Sequence, residues 1–128
     1  MMLCETRFFR CEICGNLVGM IHSSGAPMSC CGQEMTELIP GSVDASLEKH
    51  VPVIKVNGDT ATVHVGSADH PMLEEHHIAW IYLQTEDGGQ RKCLKVGGAP
   101  EATFALGGSK PVAAYAYCNL HGLWKATV

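Results

Sequence analysis

From Val51 onward, apolar and polar residues fall into short runs of strand type, punctuated by glycine, proline and asparagine. Thr60 to Val65 shows the pattern most cleanly. Ala61, Val63 and Val65 alternate with Thr60, Thr62 and His64, the period of two that turns one face of a strand inward. Val51 to Val56 precedes it across Asn57-Gly58, a strong hairpin signal. Ile78 to Thr85 and Arg91 to Val96 flank Asp87-Gly88-Gly89 in the same manner. Further short runs are Ala102 to Leu106, Val112 to Cys118 and Leu123 to Val128. Strands this frequent, with turn residues between them, predict an all-β sandwich or barrel. One turn near Met72 to His76 is the single helical expectation, and no internal repeat or low-complexity stretch is visible.

Cysteine and histidine are unevenly shared along this pattern. Of 7 Cys, Cys4, Cys11, Cys14, Cys30 and Cys31 precede residue 32, and only Cys93 and Cys118 follow. Of 7 His, only His22 precedes His50. The asymmetry predicts a small Cys-rich domain over 1–38 and a larger His-bearing domain over 39–128, joined near Pro40-Gly41-Ser42. A unit so small cannot bury enough apolar surface to fold unaided, so a bound metal is expected in it.

Composition narrows the function. The 128 residues carry a formal net charge of −4, with 46% hydrophobic and 17% charged residues, the balance of a globular domain. No basic stripe exists to neutralise phosphates, so no nucleic-acid partner is expected. No apolar run approaches the roughly 18–20 residues of a membrane span. Met1 to Cys11 contains Glu5, Arg7 and Arg10 and no apolar core of a signal peptide, which points to a cytoplasmic, reducing setting. There, clustered cysteines bind metal more often than they form disulfides, and the odd count agrees.

Cys11-Glu12-Ile13-Cys14-Gly15 is a knuckle that puts two thiolates on a tight turn, and Cys30-Cys31-Gly32 follows. Four thiolates suit tetrahedral zinc or a single iron, and softness does not separate the two. A structural zinc ribbon and a vicinal disulfide are the plain alternatives, although adjacent ligands are unusual in zinc ribbons. A second constellation comprises His50 before Pro52, His70-Pro71 with His76, and Cys118-Asn119-Leu120-His121. Loops at one end of a sandwich can bring such segments together, and imidazoles with a thiolate bind a borderline transition metal. His70 and His76 would diverge by about 240° on a straight helix, so they need a broken turn to meet. His22 and His64 read as ordinary solvated residues. His77 is expected to point away from His76. Blue copper is a rival reading, weakened because no Met follows His121 to serve as its axial ligand.

CEICGN, SCCGQEM, EKHVPVI, HPMLEEHHIAWI, GGAPEATFAL and YCNLHGLWKA, in this order, resemble the desulfoferrodoxins, the two-iron class of superoxide reductases. The resemblance covers almost the whole chain. It implies a desulforedoxin-like N-terminal domain whose Fe(Cys)₄ ligands are Cys11, Cys14, Cys30 and Cys31. It implies an immunoglobulin-like β-sandwich in which His50, His70, His76 and His121 hold a second iron equatorially and Cys118 is the axial thiolate. It further implies a homodimer, superoxide as substrate, hydrogen peroxide as product and a rubredoxin-type electron donor. The position opposite Cys118 is then open to a small anion. Lys49 places a cation at its mouth, Glu48 fills it in the ferric state, and the N–H groups of Leu120 and His121 tune the sulfur. Cys4 and Cys93 match no ligand position and are expected to be buried or partly buried, and His77 stands where the family often has an aromatic residue. The alternative function is a one-electron carrier with two redox metals and no substrate chemistry. A zinc-only binding protein is a weaker third.

Overall fold

The computed structural model describes residues 5–128. The chain divides between Ile39 and Pro40 into two compact units. Nearly all regular structure is β. No helix among the described residues is long and apolar enough to cross a membrane.

In the first unit, β1 (Phe8–Arg10) lies between β2 (Leu17–Gly19) and β5 (Thr36–Glu37), all antiparallel, while β3 (Ser29–Cys30) and β4 (Gln33–Glu34) form a separate two-residue ribbon. The Arg7 guanidinium grips the Glu37 carboxylate through two bonds of 2.9 and 2.8 Å, tying the two ends of the unit together. Among its described residues only Phe8 and Cys11 are buried. An apolar core that small does not offset the entropy of ordering the segment.

The second unit is an immunoglobulin-like sandwich of two antiparallel sheets. Strands β6 (Pro52–Asn57), β7 (Thr60–Val65) and β10 (Glu101–Ala105) form one, in the order β10-β7-β6. Strands β8 (Ile78–Thr85), β9 (Gly88–Cys93), β11 (Pro111–Cys118) and β12 (Gly122–Thr127) form the other, in the order β12-β11-β8-β9. Ala61, Val63 and Val65 point inward, as the alternation predicts, and meet Ile81, Leu83, Phe104, Ala114 and Ala116 in one core.

The turns differ in detail from expectation. Asn57 pairs with Thr60, so the first hairpin loop is Gly58-Asp59, with φ +60° at Gly58. β9 starts at Gly88, and Gly89 is a strand residue opposite Gln84. The Tyr82 hydroxyl lies where a Cβ on Gly89 would stand, so this glycine admits an aromatic ring rather than making a turn. The expected helical turn at Met72–His76 is absent. Leu73 and His76 instead exchange backbone bonds of 2.9 and 3.1 Å that close a broken turn. The helical turn that does form is α1 (Leu47–His50), separated from Pro52 by Val51 alone.

Register sets the location of the second constellation. Pro52 pairs with Val65, Cys118 with Ile78, and Cys118 again with Gly122. The starts of β6, β8 and β12 and the ends of β7 and β11 therefore share one end of the sandwich. His50, His70, His76, Cys118 and His121 all lie on the chain segments at that end.

Candidate metal centres

Cys11 follows β1, and its knuckle is closed by Cys11 N–H to Asn16 O (2.8 Å) and Gly15 N–H to Cys11 O (2.9 Å). The N–H groups of Cys14 and Asn16 face the sulfurs of Cys11 and Cys14 at 3.4 and 3.5 Å. The adjacent pair needs a special backbone. Cys31 has φ +54°, the only positive φ of a non-glycine among the described residues, and this turns its thiol toward the point that Cys30 faces. All four sulfurs lie within 4.8 Å of one another. The Cys14–Cys30 and Cys30–Cys31 separations are 3.6 and 4.0 Å. The edge of a tetrahedron with ~2.3 Å metal–sulfur bonds is about 3.8 Å. No disulfide joins them, the vicinal one included. Without a cation the four thiols must share protons. N–H bonds from Cys14 and Ile13 hold Cys11 down to about 6, and the bond with Cys14 heads the contacts that push Cys31 up to about 12. A thiophilic cation displaces those protons, so the donor set fits one metal ion.

In the second unit His50 ends α1, and its Nδ1–H donates to Ser46 O at 2.7 Å. His70 Nδ1–H donates to Pro71 O, also at 2.7 Å. Both bonds assign the proton to Nδ1 and leave Nε2 with a bare lone pair. Yet these two Nε2 atoms face each other at 3.2 Å, and His50 Nε2 faces His121 Nδ1 at 3.0 Å. The opposed Nε2 lone pairs of buried His50 and His70 repel at this range unless a cation lies between them. Nε2 of His76 is buried with no hydrogen-bond partner.

The four rings close a square. His50–His70, His70–His76, His76–His121 and His121–His50 meet at interplanar angles of 79°, 80°, 80° and 85°, with centroids 4.7 to 5.1 Å apart. Across the square, His50 and His76 stand 6.3 Å apart and are tilted by only 31°. Cys118, fully buried, brings its sulfur to 3.8 Å from His121 Nδ1. The donor atoms of His50, His76, Cys118 and His121 lie within 4.8 Å of one another, and His70 joins through its contact with His50 at the corner opposite His121. Orphaned nitrogens, opposed lone pairs and a buried thiol make a five-donor set that fits a borderline transition metal.

Burial favours the neutral form of His50, His70 and His76. It is the first cause lowering His50 and His76, and it brings His70 down to about 4, helped by the charges that its histidine neighbours would carry. Neutral rings are the ligating form. Burial raises the Cys118 thiol, opposed by the N–H groups of Leu120 and His121 on its sulfur.

Two family models match the chain: "Desulfoferrodoxin, N-terminal domain" over residues 5–38 and "Desulfoferrodoxin" over 42–127. The chain belongs to the desulfoferrodoxin family. A desulfoferrodoxin of Nitratidesulfovibrio vulgaris is 46% identical, over 95% of this chain and 96% of its own. The crystal structure of the superoxide reductase from Treponema pallidum is 44% identical, with a TM-score of 0.81 over 96% of this chain and 99% of that one. A superoxide reductase from Giardia intestinalis matches 63% of this chain and 97% of its own, at 33% identity and a TM-score of 0.55.

Against this desulfoferrodoxin framework, the remaining expected residues fall as follows. Glu48 and Lys49 are exposed on α1, and the Glu48 carboxylate is not among the gathered donors. Lys49 stands close enough for its charge to help lower His50. Among the described residues the two side chains form no ion pair. His22 is exposed, and His64 is half-buried, with Nδ1 on Gly66 O at 2.9 Å and Nε2 3.1 Å from Asp69. The ring of His77 is held by Leu73 O at 2.9 Å, outside the cluster. Cys93 is exposed, contrary to expectation, because it ends β9 at the sheet edge, where its sulfur accepts from the Arg91 guanidinium at 3.2 Å. Cys4 lies outside the described residues.

One residue near the centre had no role assigned from sequence. Trp124, buried on β12, has its ring 4.9 Å from that of His50, and its Nε1–H donates to His121 O at 3.1 Å. It braces two corners of the square at once. Its place three residues after His121, on the inward phase of β12, was the available signal.

Proposed function

We propose that this chain is a superoxide reductase. Its working centre is an iron held by His50, His70, His76, His121 and Cys118. A second iron is held by Cys11, Cys14, Cys30 and Cys31, and the two lie in separate domains, 1–38 and 39–128. The observation that carries the reading is the square of four imidazoles backed by one buried thiol. Relatives named superoxide reductase support it. Iron bound there supplies one electron to superoxide, which with two protons becomes hydrogen peroxide.

The protein's residues do the rest. The ring bonds to Ser46 and Pro71 fix two imidazoles before any metal arrives. Trp124 excludes water from behind His50 and His121. The N–H groups of Leu120 and His121 spread charge from the Cys118 sulfur. Lys49 draws the anionic substrate to the open side, and the Glu48 carboxylate, carried by the same exposed turn, can close that side after product leaves. The electron comes from a rubredoxin-type donor, and the working form is a homodimer in the reducing cytoplasm, where the free cysteines persist.

Elemental analysis with visible spectra before and after superoxide addition tests the reading. About two irons per chain are expected, with a thiolate-to-iron band appearing as superoxide is consumed and hydrogen peroxide, free of dioxygen, accumulates. Zinc in both sites would overturn it. Two irons with no consumption of superoxide would leave a one-electron carrier.

A further inference from the structure

The ladder between β8 and β11 becomes irregular just where the second centre begins. Tyr117 pairs with Trp80, but the next pair is Cys118 with Ile78, so Ala79 is passed over. A bulge of this kind bends the strand and re-aims its last side chain, here the Cys118 thiol. It also ends the regular pairing before the chain has reached His76 on one side or His121 on the other.

Asn119 carries the pairing onward. Its own N–H donates to His77 O at 3.2 Å. Its side-chain Oδ1 accepts the His77 N–H at 2.8 Å, and its Nδ2 donates to Glu75 O at 3.0 Å. The side-chain amide thus takes the place of a further peptide group and grips the backbone on both sides of His76. The two segments so joined bear His76 on one and Cys118 with His121 on the other, three of the five donors.

His76 needs this more than its neighbours do. His50 and His70 are oriented by ring bonds to backbone oxygens. His76 Nε2 has no partner, and its backbone is held only within its own broken turn, by the two bonds with Leu73. Without the Asn119 side chain, the Asn119 N–H bond to His77 O remains, but no described hydrogen bond ties the Leu73–His76 turn itself to the Cys118–His121 segment.

We propose that Asn119 is a positioning residue of the second centre: its side-chain amide sets His76 against Cys118 and His121. The proposal rests on the reading of those residues as metal donors. The chemistry is specific to asparagine. Leucine keeps the size and loses both bonds, whereas aspartate keeps the acceptor for His77 N–H and turns a carboxylate oxygen toward the Glu75 carbonyl.

The test uses the full chain with Co²⁺ alone as the probe, and compares Asn119→Leu, Asn119→Asp and His76→Ala with the unsubstituted protein. Circular dichroism establishes that each is folded. In the metal-free chain, the His77 amide is expected to exchange with solvent about 10-fold faster in Asn119→Leu, and less so in Asn119→Asp. Co²⁺ at this centre is followed through quenching of Trp124. Its loss to a chelator is expected to be about 10- to 100-fold faster in Asn119→Leu, with a displaced thiolate-to-cobalt band. Unchanged exchange and unchanged Co²⁺ loss in Asn119→Leu, while His76→Ala loses the site, would overturn the positioning role alone. If His76→Ala leaves Co²⁺ binding untouched, the metal-centre reading fails and the proposal falls with it.

Discussion

Lys49 stands one residue from His50 in a chain whose net charge is −4. An approaching anion meets the local field at the mouth of the centre rather than the charge of the whole molecule, and an exposed ammonium beside a neutral imidazole ring raises that field. Replacing it by isoleucine keeps a comparable bulk and removes the charge. Lys49→Ile is expected to slow the second-order reaction with superoxide about 10-fold at low ionic strength and to flatten its dependence on salt. Pulse radiolysis over a salt series measures both, and an unchanged rate at low salt removes Lys49 from the encounter. At this scale the motifs name the donors that the fold gathers, because His-Pro and Cys-x-x-His are local signals. What they do not convey is how the rings are held. The oxygens that fix His50 and His70 belong to Ser46 and Pro71, and nothing in a backbone carbonyl marks it as an orienting partner until the chain is folded.

Among the elements, the segment that links β7 to His70 shows how tightly the backbone is drawn around the turn that carries Lys49. Gly66 has φ +88°, and a Cβ there would stand 2.8 Å from both Glu48 O and Lys49 O and run into Ala68 O. Ala68 N–H and the Ser67 hydroxyl both donate to Glu48 O, at 2.9 and 3.3 Å. Gly58, in the β6–β7 loop, also has a positive φ, +60°, but open space around it. The pair separates conformational strain from collision. Gly58→Ala is expected to cost about 1 kcal/mol, and Gly66→Ala more than about 2 kcal/mol because backbone oxygens cannot move aside as a side chain would. Denaturant titration followed by tryptophan emission reports on this unit, since Trp80 and Trp124 both lie in it. Equal losses would show that the loop yields to the added carbon. Strands were legible here because alternation is a local property. Glycines were legible only in part: Gly58 was read as a turn residue and lies in the turn, whereas Gly66 and Gly89 serve a close backbone approach and an overlying tyrosine, which no local signal conveys. The broken turn that the His70–His76 spacing requires does form, after Pro71 and through the reciprocal bonds of Leu73 and His76, in place of the helical turn expected near Met72–His76, and the helical turn at Leu47–His50 was not expected.

For the whole molecule, the decisive fact is that no residue is shared between the two donor sets. Cys11, Cys14, Cys30 and Cys31 precede the division at Ile39–Pro40, and His50, His70, His76, Cys118 and His121 follow it. The two units also differ in what holds them together. The sandwich has a continuous apolar core with Phe104, Ile81 and Leu83 fully buried, whereas the first unit buries only Phe8 and Cys11 among its described residues. Metal binding and folding are therefore one event in the first unit and separable in the second. Cys30→Ser tests this, because a hydroxyl is a poor ligand for a soft site and the Cys14–Cys30 edge of 3.6 Å is lost with it. The variant is expected to hold about one iron per chain instead of about two, to lose the first unit's protection from proteolysis, and to keep superoxide reduction within about 2-fold. Iron content, limited proteolysis and the superoxide rate measured on the same sample decide the matter. Loss of superoxide reduction together with the first iron would mean that the sandwich depends on the metal-bound unit despite having a core of its own, and retention of both irons would mean that three thiolates suffice to hold the first.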